Sequence, residues 1–261
     1  MNTRVEFVWE KRKLNNAVLF TGLPGIGLVG KIATDYALKK LGAEKIANVY
    51  SDSFPPSVYI NNGIADLIKD EIFLYTMKNR DFLFLAGPVQ PALDPRITNV
   101  NDHYEFAEAI VKVAKDLGVK EVYTLAGINI GDARLNHEPK VVVAATDKKT
   151  LESFKKLGAK TGMNNGLVSG AAGLILGIAA KNGMKGACLM GETSSKLIYG
   201  DHGAAEKILE LLIKRYGFKI DMKEIAKESK SIDNAFKQIM NELSTKSVSE
   251  TEKEENPTYV R

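Results

Sequence analysis

Two short apolar runs, AVLF (17–20) and VYTLAGIN (122–129), each lead into a glycine loop, and helical or polar sequence follows. Runs of this length are too short for buried helices and are rich in β-formers, so they read as buried strands opening into loops at their carboxyl ends. After the first loop, Leu28, Ile32 and Tyr36, with Val29 and Ala33, fall on one helical stripe that Gly42 stops. KIANVYS (45–51) is a second strand, ended by Phe54-Pro55-Pro56. SVYI and IADLI flank Asn61-Asn62-Gly63, and EIFLYTM and DFLFLAG flank Lys78-Asn79-Arg80; both pairs predict antiparallel hairpins.

Beyond GPVQPALDP, Asp102 and Glu105 resemble a capping box, and Ala107, Ile110, Val111, Ala114 and Leu117 make one buried helical face. VVVAAT (141–146), a short helix near 150–157, an apolar helix over 167–181, the strand GACLMGE (186–192) and amphipathic helices over 203–217 and 222–243 complete the pattern. Strands alternating with helices predict an α/β fold: a mainly parallel sheet covered on both faces, hence a three-layer α/β/α sandwich, with hairpins inserted. The expected organisation is one domain over 1–243 and a disordered C-terminal tail over 244–261. STKSVSETEKEENPTYVR has almost no apolar residues before its tip and cannot bury enough surface to fold alone.

Composition narrows the function. The net charge is +4, but the lysines alternate with glutamates along helices and form no patch interleaved with aromatics, which argues against nucleic acid. One cysteine, Cys188, cannot make an internal disulfide, and the polar start MNTRVEFVWEKRK lacks the apolar core of a signal peptide. A cytoplasmic protein is expected. The most apolar run, GLVSGAAGLILGIAA (166–180), is shorter than the roughly 20 residues a span requires, so no membrane segment is expected.

FTGLPGIGLVGK (20–31) holds the strongest chemical motif. Gly25, Gly27 and Gly30 have dinucleotide-fingerprint spacing, and Gly25 through Gly30-Lys31 resembles a P-loop lacking its last residue. A P-loop needs a hydroxyl for magnesium, and Ile32 has none. Asp52 lies about 20 residues beyond Gly30, as a ribose-binding acid would. Two readings stand. Either Gly22, Gly25, Gly27 and Gly30 serve positive φ and close packing, or the loop with Lys31 holds an anion or nucleotide, as in a nucleotide-binding or nucleoside-processing enzyme. Elsewhere, His103, His137 and His202 lack metal-ligand spacing, and Ser194 and Ser195 lack a nucleophile elbow. Asp132, His137 and Glu138 could form an acid/base cluster or a solvated loop. No catalytic residue, metal or cofactor is assigned.

Taken in order, LFTGLPGIGLVGK, SFPPSVYINNG, FLFLAGPVQP, VYTLAGIN and GLVSGAAGLILGIAAKNGMKGACLMGET resemble the proteasome assembly chaperone family, in its archaeal homologues. The resemblance covers most of residues 15–217. It implies a sandwich similar to the purine nucleoside phosphorylase type, no catalysis, a homo-oligomer, and binding to 20S proteasome α-subunits. Some archaeal members end in a hydrophobic-Tyr-X motif that docks between α-subunits. This chain ends Tyr259-Val260-Arg261, with tyrosine third from the end where the motif has it second. Those three residues are the expected partner contact.

Overall fold

Val18–Gly22, the first apolar run, is buried along its whole length because it lies at the centre of an eight-stranded sheet. The computed structural model describes residues 3–91, 99–162, 166–227 and 229. In chain order the elements are β1 (Arg4–Phe7), β2 (Val18–Gly22), α1 (Val29–Leu41), β3 (Glu44–Tyr50), β4 (Val58–Asn61), β5 (Ile64–Leu67), β6 (Asp70–Met77), β7 (Arg80–Ala86), α2 (Val100–Leu117), β8 (Glu121–Asn129), β9 (Val141–Ala145), α3 (Lys148–Lys156), α4 (Gly170–Lys181), β10 (Lys185–Thr193) and α5 (His202–Tyr216). The sheet order is β1-β3-β6-β7-β2-β8-β10-β9, and β4 and β5 stand apart as a separate hairpin. β7, β2, β8 and β10 run parallel. The flanking strands β6, β3, β1 and β9 are antiparallel to their neighbours.

Alternation along β2 divides the core. Val18 and Phe20 face α1 and α5, where Ala33, Ile208 and Leu212 meet them, while Leu19 faces α2 and α4 beside Ile110 and Ile175. Helices therefore cover both faces, as the alternation of strands and helices predicts. Phe20 and Phe82 pack with Tyr216 and Phe218 at ring separations of 4.8 to 6.3 Å, the offset and edge contacts that aromatic quadrupoles favour.

Local signals act as the residues dictate. Gly42 caps α1 at φ 64°, and the β4–β5 turn places Asn62 and Gly63 at φ 49° and 81°. The box at α2 lies three residues earlier than the expected Asp102/Glu105 pair. Asn99 is the cap, and Asp102 answers it by accepting the Asn99 N–H at 2.9 Å. The apolar helix begins at Gly170, not 167, and β1 was not foreseen because EF and VW among charges carry too little apolar signal. Leu209, Leu211, Leu212 and Ile213 spread beyond one stripe of α5, yet the three leucines are buried and Ile213 is half-buried against the same core, so this helix keeps no spare leucine face for a neighbour. Most of the second amphipathic helix and the tail 244–261 lie outside the described residues.

Candidate functional site

The loop after β2 is drawn as tight as glycine allows. Gly27 at φ 61° and Leu28 at φ 50° are left-handed in succession, closing a 3-10 turn (Ile26–Leu28) in which the Leu28 N–H donates to the Gly25 carbonyl at 2.9 Å. The Gly27 carbonyl accepts the Asp201 N–H at 2.8 Å, pinning the turn to the start of α5. A Cβ on Gly30 would overlap the Leu125 carbonyl, one on Gly127 the Ile26 carbonyl, and one on Gly22 both Thr34 and the Gly30 carbonyl. These glycines interlock so that α1 lies directly on β8. Gly25, by contrast, has open space around it. The packing supports the structural reading of the loop.

The phosphate reading loses its parts. The Lys31 ammonium pairs with Asp35 at 2.6 Å on the outside of α1. Asp52 follows β3, which β6 and β7 separate from β2, so at about 4.8 Å per strand it lies roughly 14 Å away across the sheet. A ribose-binding acid belongs on the neighbouring strand. The dinucleotide fingerprint therefore fails on topology, and the P-loop match on the missing hydroxyl.

A cleft of about 340 Å³ does open here, between the carboxyl ends of β2 and β8. Chain direction reverses at this point: β2 continues through α1 toward β3, whereas β8 leads to the β9–β10 side, so the crevice is a topological switch point. Leu23, Ile26, Val168 and Met190 line it with main chain of Gly25 and Gly127, and among the described residues no charged side chain lines it. The Gln90 amide braces its walls, donating to the Pro24 carbonyl and accepting the Ala171 N–H at 3.2 Å. Gln90 lies in GPVQP and was not singled out from sequence, since nothing in the chain order places it beside Pro24 and Ala171.

The loop candidates disperse. Asp132 pairs with Lys196 at 2.7 Å, Glu138 with Lys207 at 3.8 Å, and His137 approaches Glu192 at 3.3 Å, so the three expected partners do not converge on each other. Ser194 accepts the Lys196 N–H through its hydroxyl at 3.3 Å, a polar turn and not a nucleophile elbow. Burial pushes the Cys188 thiol up to about 11, with Thr124 opposing, which leaves it unreactive. Among the described residues, no three His, Cys, Asp or Glu side chains are grouped to hold a metal, and no helix is long and apolar enough to cross a membrane.

Three features escaped the sequence. Arg134 and Asp201, both buried, form a two-pronged ion pair with bonds of 2.7 Å, and Asp201 also caps α5 by accepting the Ala204 N–H. Asp70, fully buried at the start of β6, has no hydrogen bond to either carboxylate oxygen. Burial raises its pKa well above the ordinary carboxylate range and Glu71 adds to the rise, while the Val89 backbone, nearby but outside hydrogen-bond geometry, and Lys31 offset only part. Third, the β4–β5 hairpin is exposed throughout. Its register puts Val58, Ile60, Ala65 and Leu67 on one face, and Ile60 and Leu67 are 64% and 57% exposed. Tyr259, Val260 and Arg261 lie outside the described residues.

The fold superimposes on the crystal structure of Pyrococcus furiosus PbaB, described as an archaeal proteasome activator, with a TM-score of 0.82 and 28% identity over 92% of this chain and 99% of that one. Pyrococcus furiosus PbaA, described as an archaeal homolog of proteasome-assembly chaperone, matches with a TM-score of 0.69 and 27% identity over 95% and 96% of the two chains. An uncharacterized protein of Methanocaldococcus jannaschii is 35% identical over 87% of this chain and 84% of its own length. The PAC2 family model matches residues 19–240, and this chain belongs to the PAC2 family.

Proposed function

We propose that this chain is a non-catalytic proteasome assembly chaperone homologue that self-associates and docks on α-subunits of the 20S proteasome. The observation that carries the reading is the β4–β5 hairpin. A two-stranded ribbon is marginal in water by itself, and one with an entire face of exposed Val58, Ile60, Ala65 and Leu67 is a surface made to be covered. PbaB and PbaA, described by their proteasome roles, share the fold over nearly the whole chain and support a proteasome partner. The reading includes a cytoplasmic protein of one α/β domain over 1–243, with a layer arrangement similar to the purine nucleoside phosphorylase type. In this reading the segment 244–261 brings Tyr259, Val260 and Arg261 to the α-subunits, with the aromatic residue as the main contact.

Capture of purified 20S α-subunits by the immobilised full chain tests the partner. Light scattering at tens of micromolar tests self-association, with a hairpin double variant, Ile60→Ser with Leu67→Ser, as the comparison. Capture and an oligomer that the double variant dissociates are the expected results. A monomeric wild-type chain that captures no α-subunit would remove the proposal.

A further inference from the structure

We propose that the cleft at the carboxyl ends of β2 and β8 is a binding site for a small, flat, uncharged molecule with an amide or lactam edge. The reasoning starts from the ladder. β8 pairs with β10 over its full nine residues, from Glu121 to Asn129, but with β2 only from Glu121 to Thr124. Beyond that point β2 ends at Gly22 and its chain swings into the glycine turn. Ala126 through Asn129 therefore present an unpaired strand edge toward the cleft, and no backbone hydrogen bond joins these residues to the loop over 23–28.

Main-chain groups partly shielded from water need partners. A ligand that supplies one donor and one acceptor side by side, as a cis amide does, fits the alternating N–H and C=O of such an edge. The walls dictate the remainder of the molecule. Leu23, Ile26, Val168 and Met190 line the space and, among the described residues, no charged side chain does, so a carboxylate or phosphate would be stripped of water without a counter-charge from them. Gln90 has spent its amide on Pro24 and Ala171, which fixes the spacing of the two walls before any ligand arrives. An extended peptide fits less well, because the free edge is four residues long and Thr21 lines the inner end of the cleft.

The probe is quinazolin-4-one, whose ring nitrogen and carbonyl form a lactam edge, and the full chain labelled with ¹⁵N reports binding. Expected results are saturable shifts of the Gly127 and Asn129 amides, at least tenfold weaker binding of the N3-methyl analogue that lacks the donor, and no shifts with benzoate. Ala172→Phe, a cleft-lining change at a half-buried position of α4, should abolish the shifts while its spectrum elsewhere stays dispersed. Met190→Leu, which keeps the core volume, should bind and so guard against a merely misfolded Ala172→Phe. The proposal is overturned by absence of shifts at millimolar probe, by equal binding of the methylated analogue or benzoate, or by stronger binding of an acetylated dipeptide amide.

Discussion

Glycine positions separate a packed loop from a liganded one. Gly30→Ala and Gly127→Ala should each cost about 3 kcal/mol or more in chemical unfolding, since the added carbon meets fixed carbonyls of Leu125 and Ile26. Gly25→Ala, with open space and extended backbone, should change stability by less than about 0.5 kcal/mol, and so should Lys31→Ala, whose ion pair is exposed. Equal losses at Gly25 and Gly30 would show that the loop is not held by this interlock. Asp70 gives a pH test. Its folded pKa lies above the unfolded value, so stability is complete below the unfolded pKa near 3.9 and falls as pH rises past it, when the unfolded chain releases a proton that the folded chain retains. Asp70→Asn should therefore match wild type at pH 3 and melt higher at pH 7. A melting curve for Asn that tracks wild type at both pH values would refute the assignment. Nothing in LIKDEIFLY marks Asp70 as buried; the side chain is committed by strand register, which places Glu71 opposite Ala86 and Asp70 against Gly87.

At the scale of elements, periodicity was legible where the apolar residues were spent on one core. Ala107, Ile110, Val111, Ala114 and Leu117 are all buried on α2 as their spacing requires, and both hairpins fall where Asn62-Gly63 and Lys78-Asn79 place them. What stayed hidden were contacts between elements far apart in sequence. Arg134 and Asp201 exemplify this: GDARLNHEP reads as a polar loop, yet Arg134 is 4% exposed because the 3-10 turn (Gly131–Leu135) folds over the start of α5. Removing one partner strands a buried charge, so Arg134→Ala should lose about 3 to 5 kcal/mol, measured by denaturant unfolding. A loss below about 1 kcal/mol would mean that water reaches Asp201 and replaces the guanidinium. The surface of α5 shows the same limit. Leucines at successive positions look two-sided on a wheel, but α5 packs on both α1 and the sheet and is buried on more than one side.

For the whole molecule, the α/β class and both covered faces were legible from the order of strands and helices, while the strand order was not. β7 and β8 bracket β2 only because the α2 crossover spans it. The tip of the arm gives a prediction at this scale. Under the proposed tail contact, deleting Tyr259, Val260 and Arg261 should weaken α-subunit capture sharply and leave the light-scattering mass unchanged. Several arms on one oligomer would make that loss larger than a single weak contact suggests. Undiminished capture by the truncated chain would move the contact to the globular part.

The central strand has a consequence in time. Val18 lies opposite Phe82 on one side and Glu121 on the other, so β2 has no strand neighbour that is near in sequence. Long chain closures must come before the middle of the sheet gains anything, and topologies of this kind fold slowly. The β4–β5 pairing needs only its Asn62-Gly63 turn, and its apolar residues are bare before the sheet closes, whether or not the ribbon holds its shape alone. During synthesis, a chain thus offers a sticky ribbon to its neighbours while its own centre is still open. Refolding yield from denaturant should fall as protein concentration rises, and fall less steeply for Ile60→Ser with Leu67→Ser; the surface proposed to recruit a partner to the finished molecule is a hazard to the nascent one.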